Sequence, residues 1–184
     1  MKKETTAMYI LRLAVTLLAI CAVVALALAG VNAITKDKIA AVKAEKTAKA
    51  ICAVLENGET AKPVAVPITA QYVTKAYQNE NGYAVEVAPN GFGGAITMMV
   101  GVDMEGKVTG ISIISHAETP GLGAVASQNT DKGTAFREQF VGLVSVITIG
   151  DGENQIDALS GATISSQAIV DGVNAALYFV SKMG

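Results

Sequence analysis

Residues 82–114 read GYAVEVAPNGFGGAITMMVGVDMEGKVTGISII, and apolar positions alternate there between clusters of turn-forming residues. Tyr83, Val85 and Val87 alternate with polar or small residues, which predicts a half-buried strand. The Asn-Gly and Gly-Gly pairs that follow predict a turn, and the apolar run over 95–102 predicts a second strand. Strands joined by short turns pair as antiparallel neighbours, so this stretch indicates an antiparallel sheet.

The chain beyond residue 102 contains further strand signals. Residues 103–106, Asp-Met-Glu-Gly, predict a hairpin turn into a third strand over 107–114. A β-branched run over 144–149 predicts another strand.

Two helices are predicted in the same half of the chain. Phe136 and Phe140 are four residues apart in a predicted helix over 134–140. A second helix is predicted over 163–182, because apolar residues recur there at helical spacing. This stripe consists of Ile164, Ala168, Ile169, Val173, Ala176, Leu177 and Val180. Strands followed by helices predict the α+β class, with helices packed on an antiparallel sheet.

The N-terminal region has a different composition. Residues 13–31 read LAVTLLAICAVVALALAGV, which is 19 residues without a charge and close to the roughly 20 that span a bilayer as a helix. A cleaved signal peptide is the alternative, because residues 27–29 (Ala-Leu-Ala) offer a small-x-small exit, but its apolar region is usually shorter. A buried core helix would show a polar face, which this segment lacks. We therefore predict a transmembrane helix over 13–34.

The predicted organisation has four parts. They are a cytoplasmic N-terminus over 1–12, the transmembrane helix over 13–34, a juxtamembrane helix or linker over 35–60, and a folded domain over 61–184. Basic residues before the span favour a cytoplasmic N-terminus, but five lysines after it leave the positive-inside rule undecided. Pro63 and Pro67 interrupt helical continuity after the linker.

Composition and charge limit the possible functions. Hydrophobic residues make up 51% of the 184 residues and charged residues 16%, against about 25% in soluble domains. From residue 51 onward, 6 Lys/Arg stand against 13 Asp/Glu, a net charge of −7. Such a domain repels phosphate backbones, so we expect no nucleic-acid partner. Cys21 and Cys52 are too few for a disulfide framework or a zinc cluster, and we assign them no role.

Residues 115–123 read SHAETPGLG and contain the single histidine, His116. Proline and glycines fix a tight backbone path there, along which main-chain groups can approach a ligand closely. A plain strand-to-helix turn explains the same residues equally well, since turns are commonly built this way. Local composition leaves both interpretations open.

Residues 157–163 read DALSGAT and lead directly into the predicted last helix. Hydroxyl and small residues at a helix start make a good N-cap, worth about 1 kcal/mol, and this interpretation needs no ligand. The same position also favours a phosphate, because free N–H groups and the helix dipole attract anions. Gly161 and Ala162 leave room beside Thr163 for such a group.

Other enzyme templates do not fit. The sequence has no GxGxxG after a strand, no phosphate-binding GxxxxGK followed by Ser or Thr, no HExxH and no CxxC. Residues 91–94 (GFGG) are glycine-rich but open a strand, so they are a weak nucleotide signal. A triad of Ser160, His116 and Asp157 lacks the G-x-S-x-G elbow. We therefore predict neither a catalytic residue nor a metal site.

The two motifs together resemble the FMN-binding domain family. HAETPGLG and D-x-x-SGAT, in this order behind one N-terminal span, make the chain similar to the G subunit of the Rnf (Rsx) ion-translocating electron-transport complex. The C subunit of the sodium-translocating NADH:quinone reductase is related to it. The resemblance covers nearly the whole chain and includes residues 82–111 and 136–142.

The resemblance implies that FMN is attached through its phosphate to the hydroxyl of Thr163, by a separate flavin transferase that uses FAD. Two further groups of residues are implied to belong to the cofactor-binding site. The transferase would recognise the residues before the threonine, which are Asp157, Ser160, Gly161 and Ala162. The flavin would lie against Glu118, Thr119, Pro120, Gly121 and Leu122. No acid–base role follows for His116.

The resemblance also implies a function. The chain would be a membrane-anchored electron-transfer subunit of an ion-translocating ferredoxin:NAD oxidoreductase, with its flavin domain on the extracytoplasmic side. Its partners would be the other subunits, the flavin transferase and membrane lipid, and it would not be a complete enzyme alone. Two alternatives stay open. One is the same carrier role in a Na+-translocating NADH:quinone reductase or another extracytoplasmic flavin system. The other is a non-flavin, membrane-tethered assembly module in which SGAT is only a helix cap.

Overall fold

The computed structural model describes residues 6–67, 70–144 and 146–183, and the chain forms two compact units, Met1–Ala44 and Glu45–Gly184. Helix α1 (Thr6–Val54) forms the described part of the first unit, and its last ten residues belong to the second unit. Its most apolar window has a mean hydropathy of 2.7 and is 0% buried. The helix is therefore long and apolar enough to cross a membrane, whereas a core helix of its length would be largely buried.

Helix α1 joins two of the predicted segments. The predicted transmembrane helix and the helical part of the predicted juxtamembrane segment are one unbroken helix, which ends at Val54 and is followed by a 3-10 turn at Gly58–Thr60. The four predicted boundaries stay predictions. Lys2 and Lys3 of the predicted cytoplasmic N-terminus lie outside the described residues.

The second unit is built on an antiparallel sheet, as predicted. Its strands are β1 (Lys62–Val64), β2 (Val73–Asn79), β3 (Gly82–Val87), β4 (Thr97–Asp103) and β5 (Val108–Ser115). They lie in the order β1-β2-β3-β4-β5. Strands β3 to β5 of this meander come from the quoted stretch, and each predicted strand there lies within two residues of the observed one. Strands β1 and β2 were not predicted.

The prediction that the first strand is half-buried was wrong. All six residues of β3 are buried, because both faces of the sheet are covered. Val85 and Val87 pack in the larger core cluster with the last helix. Ala84, on the other face, packs with Ile51 and Val54 at the C-terminal end of α1. Successive side chains of β3 therefore point alternately into two different hydrophobic cores, and neither face of the strand is exposed to solvent.

Side chains of the sheet hold the C-terminal end of α1. The Thr109 hydroxyl donates to the Val54 carbonyl, and the Asn79 amide donates to the carbonyls of Glu56 (2.8 Å) and Asn57 (3.0 Å). The bond to Val54 satisfies a carbonyl that the helix end leaves without an intrahelical partner, and the two bonds from Asn79 hold the turn that follows the helix. They fix this end of α1 to the domain.

The remaining elements complete the α+β fold. They are α2 (Asp131–Glu138), β6 (Thr148–Ile149), β7 (Gln155–Ile156) and α3 (Thr163–Ser181). Helix α2 begins three residues before its predicted start, since the Thr130 hydroxyl caps it by accepting from the Gly133 N–H. It ends at Glu138, two residues before its predicted end, and the rings of Phe136 and Phe140 pack edge to face with centroids 5.5 Å apart at 78°.

Two predictions in this region need correction. The strand predicted over 144–149 is only two residues long at Thr148–Ile149, where it pairs in parallel with β7, and residue 145 lies outside the described residues. Helix α3 has the predicted extent and buries most of its apolar stripe, but Ile164 is 59% exposed. This isoleucine lies in the first turn, beyond the edge of the core, and belongs to the cleft described below.

Candidate functional site

Three connecting segments meet at the N-terminal end of α3 and enclose a cleft of about 390 Å³. They are the loop between β3 and β4, the turn after β5, and the first turn of α3 with the residues before it. The lining residues are Phe92, Glu118, Thr119, Leu122, Gly123, Gly161, Ala162, Thr163, Ile164 and Ser165. A volume of this order is within the range of small-molecule sites.

The cleft brings the two sequence motifs together. Of the ten residues predicted to bind the cofactor, six line it: Glu118, Thr119, Leu122, Gly161, Ala162 and Thr163. The other four, Pro120, Gly121, Asp157 and Ser160, are exposed and lie outside its lining. The main chain of Asp157 is held by the Gln139 side chain, whose Oε1 accepts from the Asp157 N–H at 2.8 Å.

Sequence reasoning missed four lining residues: Phe92, Gly123, Ile164 and Ser165. Phe92 belongs to the glycine-rich segment that gave only a weak nucleotide signal. Ile164 was assigned to the core, because its position continues the apolar stripe of α3. Ser165 carries no local signal, since a serine inside a helix usually contacts its own turn.

Thr163 is the first residue of α3, and its side chain is exposed at the cleft. The residue before it, Ala162, takes the N-cap position, and no side chain caps the helix there. The Ser166 hydroxyl does not cap the first turn, because it donates back to the Ala162 carbonyl and accepts from the Leu159 N–H. The interpretation of SGAT as a side-chain N-cap is therefore wrong.

Gly161 shapes the approach to this helix. Its φ of 73° lies in the left-handed region, which disfavours any residue with a Cβ. A Cβ added there would also lie 3.2 Å from Leu122 Cδ2, across the cleft wall. The glycine allows the chain to turn tightly and leaves Thr163 accessible.

Glu118 joins the three segments beneath the cleft. Its side chain is 6% exposed, and each carboxylate oxygen accepts a hydrogen bond from a different segment. Oε1 accepts from the Gly93 N–H at 2.9 Å, and Oε2 accepts from the Ser165 hydroxyl at 2.5 Å. Gly123 packs against the same group, since a Cβ there would lie 2.7 Å from Glu118 Oε2.

His116 orders the turn that carries Glu118, and it does not line the cleft. Its Nδ1 accepts from the Glu118 N–H at 3.1 Å, and its Nε2 lies 2.8 Å from Ser127 Oγ. Because Nδ1 is an acceptor, the proton of the neutral ring is on Nε2, which donates to Ser127. The Ser127 hydroxyl in turn donates to the Ala124 carbonyl.

Three apolar side chains are exposed around the cleft. Phe92 is 70% exposed, Ile164 59% and Leu122 43%. Exposed apolar groups gathered around a cavity are typical of a ligand site. The arrangement suits a ligand with a flat apolar part and an anionic part, since the apolar rim stands beside the start of a helix.

A larger cavity of about 780 Å³ lies elsewhere in the domain, with Tyr72, Tyr178 and Lys182 in its wall. None of the residues predicted for a site lines it. Among the residues that the structure describes, no group of three or more His, Cys, Asp or Glu side chains could hold a metal ion. The smaller cleft is therefore the candidate site.

Comparison with known proteins identifies the class. The FMN-binding domain family matches residues 91–178, which include every residue that lines the cleft. The chain is 33% identical over 183 residues to the G subunit of the ion-translocating oxidoreductase complex of Methanosarcina acetivorans, covering 94% of this chain and 95% of that protein. The chain therefore belongs to the family formed by the G subunits of ion-translocating oxidoreductase complexes.

Two further relatives carry more specific names. The G subunit of the proton-translocating ferredoxin:NAD(+) oxidoreductase complex of Clostridium ljungdahlii is 41% identical over 95 residues, covering 52% of this chain and 51% of that protein. The G subunit of the Na(+)-translocating ferredoxin:NAD(+) oxidoreductase complex of Acetobacterium woodii is 37% identical over 107 residues, covering 56% and 51%. The chain thus matches about half the length of these two relatives.

Among solved structures, the chain is similar to the C subunit of the Na(+)-translocating NADH-quinone reductase from Parabacteroides distasonis. The identity is 22%, the shared region covers 59% of this chain and 62% of that chain, and the TM-score is 0.44.

Proposed function

We propose that this chain is a membrane-anchored electron-transfer subunit of an ion-translocating ferredoxin:NAD oxidoreductase complex, and that it carries FMN joined through its phosphate to Thr163. One observation carries the proposal: the FMN-binding family match includes a cleft at which the Thr163 hydroxyl is exposed. The assignment to this type of complex is based on the relatives, since two of them are subunits of ferredoxin:NAD(+) oxidoreductase complexes.

The start of α3 suits the phosphate. N–H groups in the first turn of a helix have no intrahelical partner, and no side chain caps this turn. A phosphoester at Thr163 would stand at the positive end of the helix dipole, where it can accept bonds from these N–H groups. An uncapped first turn thus favours an anion at Thr163.

The rim of the cleft suits the ring system. Phe92, Leu122 and Ile164 offer exposed apolar surface on its different walls, and an isoalloxazine ring would cover part of it. Their role is to bind and orient the ring and to exclude water from one side. FMN, when bound, supplies the electron-transfer chemistry, and no residue of the cleft is assigned a catalytic role.

The exposed residues outside the cleft suit recognition by a second protein. Asp157 and Ser160 are accessible just before Thr163 and do not line the cavity. This position agrees with a role in binding the flavin transferase rather than the flavin. In the transfer, Thr163 Oγ would form a bond to the phosphorus of the FMN half of FAD. The pyrophosphate bond to that phosphorus would break, and AMP would leave. The hydroxyl proton of Thr163 would pass to solvent or to the transferase.

The membrane arrangement is part of the proposal. Helix α1 would cross the cytoplasmic membrane once, in contact with lipid, and the flavin domain would lie on the extracytoplasmic side. Covalent attachment would then retain FMN where free cytoplasmic flavin is not available. The other subunits of the complex would supply and accept the electrons.

The alternative is a non-flavin, membrane-tethered assembly module in which SGAT is only a helix cap, and it predicts no flavin even when a transferase is present. The two hypotheses differ in one measurement. The full chain, co-expressed with a flavin transferase and denatured, is expected to show flavin fluorescence in a gel. Thr163→Ala should lose it, whereas Thr119→Ala, which removes another hydroxyl from the same cleft, should retain it. A dark wild-type band would contradict the carrier proposal.

A further inference from the structure

Glu118 is a charged group in the wall of the cofactor cleft, and both of its carboxylate oxygens already accept hydrogen bonds from other residues of the chain. It lines the cleft with a 6% exposed side chain, and Gly93 and Ser165 each donate to one of its oxygens. A carboxylate held in this way is a fixed feature of the wall, unlike a surface side chain that can turn toward solvent. Its position is set before any ligand binds.

The surroundings leave its charge without a basic partner. The three ion pairs among the described residues, Lys49–Glu45, Lys75–Glu86 and Lys107–Glu105, all lie elsewhere. Within the described part of the chain, no Lys or Arg lines the cleft. The two donors to Glu118 are a main-chain N–H and a hydroxyl, which stabilise a carboxylate but do not cancel its charge.

We propose that Glu118 is a positioning residue that also lowers the reduction potential of the cofactor in this cleft. The inference rests on the proposed function, since it assumes a flavin beside Thr163. Reduction adds electrons to the ring, and a fixed negative charge nearby in a partly dry site opposes this addition. The oxidised cofactor is favoured, so the bound flavin is a stronger reductant than it would be beside a neutral group.

Two substitutions separate the charge from the bracing contacts. Glu118→Gln keeps the shape and removes the charge: its amide oxygen can accept from the Gly93 N–H, and its NH₂ can donate to Ser165. Ser165→Ala keeps the charge and removes one donor that stabilises it. The proposal predicts opposite effects on the reduction potential. Glu118→Gln removes the negative charge that opposes reduction, whereas Ser165→Ala leaves that charge with one hydrogen-bond donor fewer.

The test is a spectroelectrochemical titration of the flavin in the full-length, flavin-loaded protein. Glu118→Gln should shift the midpoint potential upward and Ser165→Ala downward. Glu138→Gln is the matched control, since it removes the same charge from an exposed residue outside the cleft and should leave the potential unchanged.

An unchanged or lower potential in Glu118→Gln would overturn the inference. If that variant does not hold flavin, the Ser165→Ala protein decides: a lower potential supports the inference, and an unchanged or higher one overturns it. Wild-type protein without flavin would overturn the proposed function, and this inference with it. The two failures are thus distinguished by the flavin absorbance of the wild type.

Discussion

Glu118 and His116 are two residues apart in one turn, and they serve different parts of the domain. Glu118 joins the loop before β4 to the first turn of α3, whereas His116 bonds to the turn itself and to Ser127. The sequence motif that contains both therefore combines a cleft residue with a residue that orders the turn.

The turn depends on the acceptor at His116 Nδ1. We expect His116→Ala to lower the free energy of unfolding by about 1–2 kcal/mol, because the Glu118 N–H and Ser127 each lose a partner. His116→Asn should lose less, since an asparagine oxygen can accept from the N–H two residues on. Chemical denaturation of the full chain in detergent measures both, and equal losses would contradict this role.

The two motifs of the cleft could be predicted from the sequence, but not all of the residues around them. HAETPGLG and SGAT contain seven of the lining residues, and six of these were predicted because each motif is contiguous in the chain. Phe92 and Ser165 could not be predicted, since their place in the site depends on how the sheet brings distant loops to one edge. The predicted helix cap failed because a hydroxyl near a helix start need not take the N-cap geometry.

Helix α3 and the 3-10 turn at Gly123–Ser127 meet in a contact that admits no side chain at Gly123. A Cβ there would lie 2.9 Å from Ser165 Cβ and 2.7 Å from Glu118 Oε2. The close approach of these two elements brings Glu118 within bonding distance of Ser165. The width of the cleft is therefore set by packing between elements.

Gly123→Ala should push the two elements apart. We expect it to destabilise the domain by about 1–3 kcal/mol and to reduce the flavin-labelled fraction of the protein. Gly110→Ala is the control, because a Cβ there would lie 3.9 Å from its nearest neighbours in Val54. Denaturation curves and in-gel flavin fluorescence test both variants. Equal behaviour of the two would show that this contact does not shape the site.

Among the helices and strands, those with a strong periodic pattern could be predicted from the sequence. Strands β3 to β5 and helix α3 have strong periodicity, and they lie close to their predicted positions. Strand β2 was missed, because its sequence VTKAYQN mixes exposed and buried positions without regular alternation. The burial of both faces of β3 was missed, because the residues that cover its second face are at 50–55, in the segment predicted to be a juxtamembrane helix or linker outside the folded domain.

The whole chain combines an apolar N-terminal helix with an acidic domain, and the side on which that domain lies is a proposal. Cys52 provides a direct test, since it is exposed in the second unit, whereas Cys21 lies within the apolar span. A membrane-impermeant maleimide should label Cys52 in right-side-out vesicles without permeabilisation, because the flavin domain is proposed to face outward. Cys52→Ser should abolish labelling, and labelling only after permeabilisation would place the domain in the cytoplasm.

Attachment of FMN to Thr163 can be tested directly by mass spectrometry of one tryptic peptide. Trypsin cleaves after Arg137 and Lys182, so Thr163 lies in a single peptide over 138–182 that contains no other cleavage site before its end. In full-length protein made with a flavin transferase, we predict that mass spectrometry finds this peptide heavier by FMN less one water. The same peptide from Thr163→Ala should carry no added mass. An unmodified peptide in the wild type, or a modified one in Thr163→Ala, would contradict the claim.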